Sequence, residues 1–157
     1  MTAFVQHFAF EFKTGLRNPN LFFINYLFPL GFYAMMGLVM TQINPGFTEV
    51  LVPAMVVFAI MASTILGLPS PLVESREAGI YRSFKINGVP ALSILAIPVL
   101  TTIFHVLITS AIIVATATPF FKGVAPSDWG GFVLIVLVTA FTCGALGALI
   151  GVISANS

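Results

Sequence analysis

Four long apolar runs dominate the chain, at residues 21–40, 50–73, 92–116 and 129–153, and none contains Asp, Glu, Lys or Arg. Crossing the hydrocarbon core of a bilayer takes about 20 apolar residues in a helix. A charge near the middle of such a helix costs roughly 2.5–3.5 kcal/mol, so spans are recognised by the charges they lack. A backbone facing lipid must satisfy its own hydrogen bonds, which favours helices. The two-residue alternation of a membrane barrel is absent. The first run starts too late and runs too long to be a signal peptide. The pattern predicts an all-α membrane protein with four transmembrane helices.

The segment ahead of the first run has a different period. Phe4, Val5, Phe8, Ala9, Phe12 and Leu16 fall on one face of a helix over residues 3–18. Gln6, His7, Glu11, Lys13, Thr14 and Arg17 cover the other face, with Phe10 as the exception. Such a helix is expected to lie along the membrane surface, with its aromatic face in the headgroup boundary. Pro19 disfavours helical geometry in the residue before it, so the helix should stop near Asn18.

Composition agrees with a membrane class: 59% of residues are hydrophobic and only 7% charged, with a mean hydropathy of +1.08, whereas soluble domains carry about 25% charged residues. Orientation follows from the cations. Lys13 and Arg17 precede the first run and Arg76, Arg82 and Lys85 follow the second, against Lys122 alone between the third and fourth. The positive-inside rule then places both ends of this segment and the central loop in the cytoplasm of a multi-pass plasma-membrane protein of prokaryotic type. Cys143 is the single cysteine and falls in the fourth run, so no internal disulfide can form. The net charge of +1 does not point to nucleic acid.

Catalytic chemistry has no footing. A phosphate-binding loop needs a glycine-rich turn followed by Lys and Ser or Thr. Lys13-Thr14 is the one such pair, and no glycine-rich turn precedes it. His7 and His105 have no Cys or carboxylate spaced to join them at a metal. The expectation is a chain that is not an enzyme, with no metal or cofactor of its own.

One charged island interrupts the apolar pattern, over residues 74–90. Glu74, Arg76 and Glu77 lead to Gly79, then to Ile80, Tyr81, Arg82, Phe84 and Lys85, and Asn87-Gly88-Val89-Pro90 is a turn signal. A purely topological loop needs only a few cations, whereas aromatic and arginine residues presented together are typical of binding hot spots. Pro69 and Pro71 are expected to kink or end the second span. Inside the membrane, Pro98, Thr101, Thr102, His105, Thr109 and Thr116 project onto one face of the third span. That face is a possible pathway, since intramembrane ionisable groups usually face a cavity or the bundle interior. The alternative is a neutral packing histidine with threonines bonded to their own helix. Ala140, Gly144, Gly147, Ala148 and Gly151 form a small-residue face on the fourth span, suited to close helix packing within the bundle or, less readily, to a dimer seam.

The order of these features resembles the permease subunits of ABC-2-type transporters. The resemblance rests on the helix ending in Arg17-Asn18-Pro19, on Pro29 in the first span, and on the loop carrying Glu77, Gly79, Ile80, Arg82 and Pro90. It implies a coupling helix, at residues 74–90, seated on a separate cytoplasmic ABC ATPase that binds ATP and magnesium. It also implies an N-terminal helix beside that subunit, and a second permease copy or homologue completing a dimer in the lipid bilayer. Members of that family generally have six spans, so residues 1–157 are expected to form one partial transmembrane domain, truncated after the fourth span. The function implied is ATP-driven export. A non-transporting membrane subunit that recruits a partner through the same loop is the alternative. A small four-span antiporter is disfavoured, because it would need a membrane-embedded carboxylate.

Overall fold

The computed structural model describes residues 3–80, 82, 86 and 91–154. The described residues include five long helices, in chain order α1 (Ala3–Arg17), α2 (Pro19–Ile43), α3 (Phe47–Glu77), α4 (Ala91–Phe121) and α5 (Trp129–Ile153). No strand occurs among the described residues. The last four are long and apolar enough to cross a membrane. The protein is an all-α membrane protein.

Three of the four spans extend beyond their apolar runs, α2 and α4 through a few uncharged residues and α3 through charged ones as well. The largest difference is in α3, which continues through Pro69 and Pro71 to Glu77. Glu74 and Arg76 therefore lie on the end of a span, and the loop proper begins later than the charge pattern suggested. The prolines are accommodated by a π-helical segment at Ala62–Gly67, which places Pro69 in a first turn, where its missing N–H is tolerated. A second π-segment, Phe23–Leu27, precedes Pro29 in α2.

Each π-segment, together with its proline, leaves a carbonyl short of a ladder donor, and a neighbouring helix meets it. Pro29 cannot donate to the carbonyl of Asn25, which instead accepts the Thr109 hydroxyl of α4 at 2.8 Å. Pro69 cannot donate to the turn before it, and there the carbonyl of Thr64 faces Gly147 of α5. A Cβ on Gly147 would stand 1.9 Å from that oxygen, so only glycine allows this approach. Gly151 sits less tightly on Leu72 and Pro69 of α3, where a Cβ would find its nearest atoms at 2.9–3.1 Å, and Gly144 rests on Val99 and Ile103 of α4. The small-residue face thus packs inside this bundle.

α3 forms the centre: 56% of its apolar window is buried, against 22% for α5. Leu51, Val52, Val56 and Ile60 of α3 interlock with Ile103, Val106 and Ile113 of α4. At the end of the bundle away from α1, Tyr33 of α2 bonds the Thr116 hydroxyl at 3.0 Å and stacks edge-on with Phe121.

Candidate functional site at the N-terminal helix

α1 begins at Ala3 and ends at Arg17, and Asn18 takes the extended geometry that Pro19 demands, with φ −78° and ψ 116°. The Asn18 side chain then accepts the amides of Asn20 and Leu21, capping α2 as the chain turns into the span. This elbow folds α1 back against α4. Phe8 and Phe12 stack edge-on with Phe104, at centroid distances of 6.0 and 5.5 Å. The sequence reading expected these rings among lipid headgroups. They instead find protein, because α4 presents its own aromatic and imidazole rings at that level. Leu16 and Arg17 remain exposed; the side chain of Phe4 lies outside the described residues.

His105 sits at the centre of this contact and is only 2% exposed. Its ring lies flat on Phe12, with centroids 4.6 Å apart and an 11° interplanar angle. Its Nδ1 is 2.6 Å from the Tyr26 hydroxyl of α2. Its Nε2 points at the backbone of α1, where a Cβ on Gly15 would stand 2.7 Å away. One imidazole of α4 therefore touches both α1 and α2 and joins three helices. Sequence reasoning missed Tyr26 and Gly15; the signals available were a polar Asn25-Tyr26 pair inside an apolar run and a glycine on the helix facing it.

Thr101, Thr102 and Thr109 of the expected pathway face are also buried, while Pro98 and Thr116 at its two ends are half-buried. Thr101 bonds back to the carbonyls of Ile97 and Pro98, and Thr102 is buried beside it. Thr109 bonds Asn25, as described above. Within this chain the face is a packing seam joining α4 to α1 and α2. The two π-segments meet beside it: a Cβ on Gly67 would lie 3.3 Å from Asn25 Oδ1. Asn25 Oδ1, Ser63 Oγ and His105 Nε2 are buried and make no hydrogen bond within the described residues.

The start of the charged island lies at the same end of the bundle. Glu74, Glu77, Gly79, Ile80 and Arg82 are exposed. Gly79 holds a positive φ of 70°, a conformation open to glycine, and so turns the chain after α3. Arg76 differs from its neighbours. Its guanidinium donates to the carbonyls of Val152, at 3.0 Å, and of Ser154, capping the last turn of α5. Tyr81, Phe84, Lys85 and the turn at 87–90 lie outside the described residues. An apolar pocket of about 290 Å³ between α1, α3 and α4 is lined by Phe10, Leu72, Ile80 and Pro98, with the His7–Glu11 pair, 3.6 Å apart, at its edge. Among the described residues no group of His, Cys, Asp and Glu is placed to hold a metal ion.

No curated protein and no solved structure gives a significant match to the chain. The family model described as ABC-2 type transporter matches residues 2–157. With four spans, an N-terminal helix docked on the bundle and a charged element at the same end, the chain belongs to the ABC-2 type transporter family.

Proposed function

We propose that this permease moves its substrate outward across the plasma membrane, driven by ATP that a separate cytoplasmic ABC ATPase binds with magnesium and hydrolyses. Members of the family generally work with such ATPases. On this reading the chain itself performs no hydrolysis, and a second copy or homologue completes the transporter. Both chain ends and the 74–90 element face the cytoplasm.

The observation that carries the reading is the continuity of packing between the loop end of the molecule and the spans. A push on α1 reaches α4 through Phe12 and His105, and α2 through Tyr26. A push on the residues after Glu77 reaches α5 through Arg76. Side chains packed at interior density transmit displacement rather than absorb it. On this reading the exposed Glu74, Glu77, Ile80 and Arg82 meet the ATPase, while Arg76 is committed to α5.

Copurification from cells co-expressing a cognate ABC ATPase tests this. The wild-type chain should retain the ATPase in detergent and change its hydrolysis rate. Glu77→Lys should reduce retention several-fold at unchanged membrane abundance, because the side chain sits outside the bundle. Equal retention by both chains would reject the docking role.

A further inference from the structure

The elbow between α1 and α2 encloses an open pocket of about 590 Å³, lined by Phe10, Lys13, Thr14, Arg17, Asn18 and Asn20. Lys13 and Arg17 stand one helical turn apart, and like charges at that spacing repel. Neither makes an ion pair among the described residues: Glu11, the one carboxylate of α1, reaches back to His7 instead. The Thr14 side chain is exposed and makes no hydrogen bond within the described residues. Beside these polar groups stands Phe10, the residue that breaks the amphipathic pattern of α1, with 67% of its surface exposed. An unpaired lysine–arginine pair next to an exposed aromatic ring is matched to an amphiphile whose anionic head adjoins an alkyl chain. The level of the pocket fits as well, because α2 starts at Pro19 within its lining, where the chain enters the membrane. Phe22 and Phe23, on the first turns of that span, are also exposed apolar rings.

We propose that this elbow is a binding site for an anionic phospholipid, whose phosphate is held by Lys13 and Arg17 and whose acyl chain lies against Phe10. The lipid supplies the counter-charge that the described residues do not, and fastens α1 to the membrane on the flank opposite its contact with α4. Basic pockets at the ends of transmembrane helices recognise anionic headgroups in this way, at roughly fivefold in affinity for each cation. The site is independent of the ATPase reading: it stands or falls on lipid selectivity alone.

The test is made on the whole chain in nanodiscs. Phe10→Trp in a Trp129→Phe background places the one indole in the pocket, and brominated phosphatidylglycerol or phosphatidylcholine quenches it on contact. Phosphatidylglycerol should quench at several-fold lower mole fraction than phosphatidylcholine. The preference should disappear in the added double substitution Lys13→Gln/Arg17→Gln and persist with Lys122→Gln, at the other end of the bundle. Native mass spectrometry of the unsubstituted chain supplies an arm free of the reporter, with retained phosphatidylglycerol adducts expected and lost in the double substitution. Equal quenching by the two lipids, or selectivity that survives the double substitution, overturns the proposal. Displacement of phosphatidylglycerol by millimolar inorganic phosphate also overturns it, since the site would then be one for free phosphate.

Discussion

His105 shows how one side chain can fix three helices. Phe12 covers its face, Tyr26 bonds its Nδ1, and Gly15 abuts its Nε2. Tyr26→Phe leaves a buried imidazole nitrogen without its partner, a loss of about 1–3 kcal/mol. Thermal unfolding in detergent, followed by size-exclusion chromatography, should show a clear fall in midpoint; an unchanged midpoint would mean that the bond contributes nothing. Two glycines provide a sharper contrast. Gly147→Ala drives a methyl group into the Thr64 carbonyl, and overpacking of this kind costs about 1–3 kcal/mol even where the backbone gives way. Gly31→Ala meets nothing within 4 Å and gains helix propensity, so it should be neutral or stabilising by up to about 1 kcal/mol. Similar midpoints for the two variants would contradict the close approach of α3 and α5.

At the scale of elements, the two π-segments explain how Pro29 and Pro69 sit inside long spans without breaking them. The Asn25 carbonyl, which Pro29 cannot serve, is satisfied by Thr109. Thr109→Val should therefore destabilise the wild-type chain by about 1 kcal/mol. In a Pro29→Ala background the restored N–H competes for the same carbonyl, and the same substitution should cost less. A double-mutant cycle measures this coupling; strict additivity would show that the hydroxyl does not replace the missing donor. The spans themselves were legible in the sequence, since a charge-free run longer than a bilayer is thick allows few alternatives. The end of α3 was not, because charged residues such as Glu74 and Arg76 continue a helix once it leaves the hydrocarbon. The π-segments were hidden for another reason: they depend on carbonyl partners in neighbouring helices, and a one-dimensional pattern does not show which helices are neighbours.

On the scale of the whole molecule, the parts that make this a transporter subunit were only half visible. The charged island and the amphipathic helix stood out by composition. That the helix packs on α4 rather than into headgroups, and that Arg76 is occupied by α5, required the bundle. The orientation assigned from the cations has its own check. In a Cys143→Ser background, Gly46→Cys should react with a membrane-impermeant maleimide from outside intact cells, and Ser83→Cys only after permeabilisation. Labelling of Ser83→Cys in intact cells would invert the topology. The central claim, that the element after α3 meets the ATPase, is tested most directly by photocrosslinking. A photoreactive residue replacing Ile80, exposed just past the Gly79 turn, should crosslink to the co-expressed cognate ATPase upon illumination. The same residue replacing Gly46, at the far end of the bundle, should give no such product. A crosslink from position 46, or none from position 80 in a complex that still hydrolyses ATP, would contradict the account.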